Sequence, residues 1–169
     1  MQIVDSQRLI IRHLSVDDAP FILGPVNDPS WLRHIGDKSI RTVGDAERYI
    51  LNGPVKMYRE MRLGLYLVAL KKQREPIGIC GLNKRDSLDD VDSGFAFAAR
   101  FWGNGYAYES AVATLAHGKT DLGLRRVLAI VSPHNGASIK LLAKLGFEFE
   151  RKIRLEPNSE ELELYAAAT

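Results

Sequence analysis

Phe95-Ala96-Phe97-Ala98-Ala99-Arg100-Phe101-Trp102-Gly103-Asn104-Gly105-Tyr106-Ala107 reads as a strand that enters a tight loop and leaves it as a helix. Two glycines one residue apart let successive backbone N–H groups point into a common space. The helix start adds four unpaired N–H donors and a partial positive charge, so the loop suits a phosphate or diphosphate. Arg100 stands at its rim, placed for a charge-assisted contact. Two familiar phosphate loops fail on residues. A dinucleotide fingerprint needs a third glycine where Tyr108 stands. A P-loop ending in Gly118-Lys119-Thr120 needs an earlier glycine where Ala113 stands, and that triplet ends a helix instead of opening one. The bland alternative is a strand-to-helix turn whose glycines serve only backbone angles.

Working outward, the chain alternates strand and helix signals. Leu9–Ile11 is a first short strand. Ser15 with Asp18 opens a helix over 16–26, which Asn27, Asp28 and Pro29 stop. The segment 30–41 offers only Trp31 and Ile35 as anchors. Thr42 with Asp45 opens a second helix, kinked at Gly53-Pro54 before Met57 and Met61 resume its apolar stripe. Leu65–Leu70 and Ile77–Leu82 form a hairpin around Lys71–Glu75, and Asp92–Ala98 is a third strand of that set. Gly105–His117 is an amphipathic helix presenting Ala107, Ala111 and Leu115, with Tyr108 and Val112 alongside. Arg126–Val131 is a strand, and 135–145 is a helix with Leu141, Leu142 and Leu145 inward. Phe147–Lys152 and Glu160–Ala166 close as an antiparallel pair. Seven strands in this order predict an α+β fold, a mixed sheet with helices on its faces.

Composition bounds the function. The 169 residues, 46% hydrophobic and 26% charged, predict a single domain over 1–169. Lys+Arg 23 against Asp+Glu 21 leaves +2, too little to predict direct nucleic-acid binding. No apolar run approaches the ~18 residues of a membrane helix, and the start has no signal-peptide shape, so a cytoplasmic protein is expected. Cys80 is the sole cysteine and reads as a small core residue. His13, His34, His117 and His134 are scattered without metal-ligand spacing, so no metal is expected.

Arg100, Gly103 and Gly105 fit the Arg-x-x-Gly-x-Gly signature of coenzyme A acetyltransferases, and Phe101–Ala107 resembles the central motif of the GNAT superfamily. The likeness is to its RimJ/RimL branch of ribosomal-protein N-terminal acetyltransferases. Asn135-x-x-Ser138 with Leu142, Lys144, Gly146 and Phe147 resembles that branch's second signature, and Arg8-Leu9-x-x-Arg12 matches its opening. The resemblance implies a mostly antiparallel sheet of about seven strands, with a V-shaped splay between two parallel strands, Asp92–Ala98 and Arg126–Val131, that holds acetyl-CoA. It implies that the backbone of Phe95, Ala96 and Phe97 pairs with the pantetheine arm, and that the diphosphate sits on the N–H groups of Phe101–Ala107, including Trp102, Gly103, Asn104, Gly105 and Tyr106. By residue type Asn135, after Pro133, is a helix N-cap; the resemblance also sets it on the pantetheine arm, and brings Lys140 and Lys144 toward the phosphorylated ribose or adenine.

The implied chemistry is direct attack of an amine on a thioester in a ternary complex, without an acetyl-enzyme. An α-amine of pKa ~8 is about a tenth neutral at pH 7, whereas a lysine amine near ~10.4 costs ~3.5 kcal/mol more to deprotonate, so an α-amine needs only a modest base. The resemblance makes Asp92 that base, directly or through water; a solvated strand-end carboxylate is the alternative. It sets Ser138 near the leaving sulfur, where a first-turn serine is also common for structural reasons. A strand N–H, that of Phe97, is the expected donor to the thioester oxygen. His134 reads as solvent-exposed beside the cap. Trp31, Tyr49 and Tyr58 fall in the helical region that the resemblance makes the wall of the acceptor pocket; at helical spacing they read as core residues, with one of them lining the pocket as the alternative. The implied acceptor is a protein N-terminal amine; a small amine, or an acyl-CoA-binding regulator without turnover, are the other readings. The assembly expected is a monomer or homodimer.

Overall fold

The computed structural model describes residues 1–29 and 38–169; Trp31, His34 and Ile35 lie outside the described residues. In chain order the elements are β1 (Gln2–Asp5), β2 (Leu9–His13), α1 (Ala19–Asn27), α2 (Val43–Ile50), α3 (Lys56–Met61), β3 (Leu65–Leu70), β4 (Pro76–Asn83) and β5 (Asp92–Phe97). They continue with α4 (Tyr106–Thr120), β6 (Arg126–Val131), α5 (Gly136–Lys144), β7 (Glu148–Ile153) and β8 (Leu162–Ala168). One sheet of eight strands runs β1-β2-β3-β4-β5-β6-β8-β7. Every neighbouring pair is antiparallel except β5 and β6. The α+β expectation holds, with eight strands where seven were read. The extra strand is β1, four residues at the sheet edge paired only with β2, too short for alternation to mark it.

Local chemistry sets the element starts. Asp45 N–H donates to Thr42 Oγ1 at 3.1 Å while the Thr42 N–H donates to the Asp45 carboxylate at 3.0 Å, a complete capping box for α2. Ser15 N–H donates likewise to Asp18 at 2.9 Å, ahead of a single 3₁₀ turn that feeds α1. Asp18 is also gripped by both Arg12 nitrogens, at 2.9 and 2.8 Å. Gly53-Pro54 produces the expected interruption as a π-helical turn over Leu51–Val55 between α2 and α3.

The sheet carries helices on both faces. On one, α1 and α2 bury Ile22, Val26, Ala46 and Ile50 against Leu67 and Ile79. On the other, α4 packs on Tyr66, Val68 and Cys80 through Ala111, and Leu142 of α5 lies against Val127, Ala129 and Val131 of β6. The buried side of α4 differs from the stripe expected from its sequence. Ser110, Ala111, Thr114 and Gly118 are buried, while Val112 is 45% exposed. Small residues let the helix axis approach the sheet, and Ser110 Oγ stays satisfied by the Ala107 carbonyl at 3.0 Å.

Candidate active site

Strands β5 and β6 meet at a single rung, Asp92 beside Leu128, where the Leu128 N–H donates to the Val91 carbonyl at 2.8 Å. Beyond that rung they diverge. The backbone direction of β5 follows from its other neighbour. Ala98 N–H donates to Ile77 of the β4 side at 3.0 Å, and the β4–β5 register runs without a bulge from Asn83↔Asp92 to Gly78↔Phe97. Alternation in an antiparallel ladder then turns the backbone groups of Gly94 and Ala96 toward β4, and those of Phe95 and Phe97 toward the divergence. The indole of Trp102 reaches the Phe97 carbonyl at 2.9 Å, as that direction requires. The expected V-shaped opening is therefore lined on one side by an edge of β5 that, among the described residues, has no strand partner beyond the Asp92 rung, its Phe97 carbonyl alone being taken by Trp102.

Each diverging strand leads into a helix N-terminus. After β5 comes a 3₁₀ turn, Ala99–Phe101, then Gly103 and Gly105, both at φ 78, a left-handed conformation that costs an L side chain about 1–2 kcal/mol. Neither glycine is demanded by space: a Cβ at 103 meets nothing within 4 Å, and one at 105 meets only Arg8 Nη2 at 3.4 Å. Among the described residues, the N–H groups of residues 103–108 have no backbone acceptor, while the Asn104 side-chain amide holds the carbonyls of Phe101 and Trp102 at 3.1 and 3.2 Å. Against expectation the N–H groups of Phe101 and Trp102 are taken, donating to the Ala98 and Ala99 carbonyls at 2.9 and 3.1 Å, because the 3₁₀ turn closes on itself, so among the described residues the free amides begin at Gly103. After β6, Asn135 Oδ1 accepts the Ser138 N–H at 3.2 Å and caps α5, so its N-cap reading holds. Ser138 is half-buried in that first turn, and its hydroxyl has no partner among the described residues.

The remaining expected residues divide. Arg100 pairs with Glu75 at 2.7 Å, is 68% exposed, and lies over the Phe101 ring. Lys140 is exposed, and Lys144 sits 4.3 Å over the Tyr108 ring. Tyr58 is taken up by structure: it stacks on His13 at 3.8 Å and accepts the Leu14 N–H. Cys80 is fully buried, and burial pushes its thiol pKa up, as a core residue requires. His134 is exposed as read. Among the described residues no group of His, Cys, Asp and Glu is placed to hold a metal ion, and no helix is long and apolar enough to cross a membrane.

Asp92 overturns the solvated reading. It is 1% exposed at the closed end of the V, where Arg85 Nε donates to its carboxylate at 3.1 Å. Burial pushes its pKa up and Arg85 opposes that rise. Sequence reasoning passed over Arg85 because nothing in a polar connection marks one charge as a partner for a residue seven positions on. On the face carrying α1 and α2 lies an open depression of about 500 Å³ whose lining includes Lys38, Arg48, Tyr49 and Asn52. Asp45 in the same lining is already engaged by the Arg48 guanidinium.

Residues 8–148 match the family described as the acetyltransferase (GNAT) domain. The chain belongs to the GNAT acetyltransferases. It is 28% identical over 155 residues to the uncharacterized N-acetyltransferase p20 of Bacillus licheniformis, covering 91% of this chain and 86% of that protein. Over 80 residues it is 30% identical to the [ribosomal protein uS5]-alanine N-acetyltransferase of Escherichia coli (strain K12), 46% of this chain and 41% of the other. The fold superposes with a TM-score of 0.84 on RimL, the ribosomal L7/L12 alpha-N-protein acetyltransferase in complex with coenzyme A. There the identity is 17%, and 99% of this chain and 98% of that one are covered. The GNAT sheet and its parallel pair thus have the form that the residues around Gly103 and Gly105 implied.

Proposed function

We propose that this GNAT acetyltransferase moves the acetyl group of acetyl-CoA directly onto the α-amine of a protein N-terminus. The observation that carries the reading is the unpaired edge of β5 running into a turn whose amides are free, one side fitted to an amide-bearing arm and the other to a diphosphate. The coenzyme supplies an activated thioester. The Phe97 N–H lies next to the turn and the Phe95 N–H deeper in the V, so Phe97 receives the arm and Phe95 takes over the expected role of donor to the thioester oxygen. Ser138 Oγ donates to the departing sulfur. Asp92, at the deep end with a raised pKa, takes the amine proton through water.

Both faces of the sheet carry packed helices, and the open depression beside α2 is the side from which the acceptor enters. An open, polar depression there fits an extended chain better than a closed aromatic pocket would, and the names of the E. coli and RimL proteins support a protein N-terminus. With Arg48 offset by Asp45, Lys38 leaves that lining with a net positive charge, which disfavours polyamines and N-termini with a basic residue near the start. Thiol release from acetyl-CoA across a panel of N-terminal peptides, amino acids and polyamines tests this. Turnover on peptides whose first residues are neutral or acidic is the expected result; turnover confined to small amines overturns the acceptor assignment. Protection by CoA against melting, with no thiol release on any amine, replaces catalysis with binding.

A further inference from the structure

At the junction of β1 and β2, Ser6 and Arg8 converge on one carboxylate in the first turn of α4. Glu109 accepts Ser6 Oγ at 2.7 Å, the Arg8 N–H at 2.8 Å and Arg8 Nε at 2.6 Å. Burial alone would raise the Glu109 pKa, but these three donors and the Arg8 charge hold it below the usual glutamate range. Arg8 is thereby fixed with its guanidinium carbon 4.6 Å from the centre of the Tyr106 ring. From that position Nη1 donates to the Asn104 carbonyl at 2.9 Å, and Nη2 comes within 3.4 Å of where a Cβ on Gly105 would stand.

The Asn104 carbonyl and the Gly105 N–H belong to one trans peptide unit and point in opposite directions. Holding the carbonyl toward Arg8 therefore turns the Gly105 N–H away from Arg8. We infer that Arg8, braced by Glu109, is a positioning residue that aims the Gly105 N–H at the coenzyme's diphosphate. The contact is long-range, 96 residues from Arg8 to Asn104. The two arginines of the opening Arg8-Leu9-x-x-Arg12 divide the labour, Arg12 closing on Asp18 and Arg8 on the turn.

This inference rests on the acetyl-CoA reading above, and two cosubstrates separate the two. S-acetylpantetheine carries the same thioester without the diphosphate. For Arg8→Ala, the ratio of kcat/KM for acetyl-CoA to that for S-acetylpantetheine is expected to fall about 10- to 100-fold, carried by KM, as loss of a charge-assisted hydrogen bond predicts. Glu109→Gln keeps the shape and frees the guanidinium, so the ratio should fall less, about 3- to 10-fold; should Arg8→Ala fail to fold, this variant carries the test. Equal losses on both cosubstrates, or no loss on either, overturn the positioning role. A wild-type protein that neither binds CoA nor turns over acetyl-CoA refutes the parent reading instead.

Discussion

The two ends of β5 are built on opposite principles. At its C-terminal end the chain spends two glycines at φ 78 to keep main-chain amides unpaired and open. At its N-terminal end Asp92 is closed off from solvent, paired with Arg85, and adjacent to the one rung that ties β5 to β6. The open end presents backbone, so almost any side chain is tolerated there provided the turn keeps its shape and no negative charge intrudes. The closed end depends on side-chain identity, because a buried charge without its partner is costly. The backbone contacts offered to the coenzyme and the buried carboxylate are thus separated along one strand, six residues long.

The sharpest way to break that contrast is a carboxylate at the open end. Gly105→Asp brings a negative charge to the diphosphate, and two unit charges a few ångströms apart repel by ~3–4 kcal/mol at an effective dielectric near 20. Some of that is offset by Arg8, so CoA affinity measured by calorimetry should fall about a hundredfold; unchanged affinity would remove the diphosphate from this turn. At the closed end Asp92→Ala should leave CoA affinity alone and act on turnover, through loss of the base, and on stability, by ~1–3 kcal/mol, the partial exposure of Arg85 softening the loss, which is a melting drop of several degrees. A variant that melts like the wild type would show that the Asp92–Arg85 pair holds nothing together.

Between the two ends, Ser138→Ala should lower kcat about tenfold with CoA affinity within twofold, since its hydroxyl is offered to the sulfur and not to the diphosphate. Normal turnover would return Ser138 to an ordinary first-turn residue. The smallest effect lies away from β5 altogether. Burial, then the Met1 amino group and His117, push the His13 pKa below its usual value, and the ring stacks on Tyr58 with Tyr66 parallel beside both. The fold favours neutral His13, so its contribution is present above about pH 6.5 and is lost as pH falls through the depressed value. Melting temperature should decline from pH 7 to pH 5 more steeply in the wild type than in His13→Phe, and parallel profiles would clear His13 of the effect.

The open end could be read from sequence and the closed end could not. Phe95–Ala107 is contiguous, and glycines spaced Gly-x-Gly between a strand and a helix carry a local backbone meaning that no partner alters. The caps at Thr42 and Asn135 were equally local. Asp92 was visible as a strand-start acid but not as a buried one, because its burial comes with β6 pairing beside it and Arg85 closing on its carboxylate. The packed face of α4 escaped for a related reason: how near a helix lies to a sheet decides whether Ser110 and Thr114 or Val112 turn inward, and periodicity ranks hydrophobicity alone.

By itself, then, the sequence determined the strand and helix order, the amide-bearing turn and the GNAT likeness, all consequences of interactions within about a dozen neighbouring residues. The tertiary structure alone decided three things. It separated β5 from β6 after one rung, sealed Asp92 behind Arg85, and brought Arg8 to Asn104. Each is a meeting of groups far apart in the chain, fixed by which surfaces bury together and by which polar atoms must then find partners.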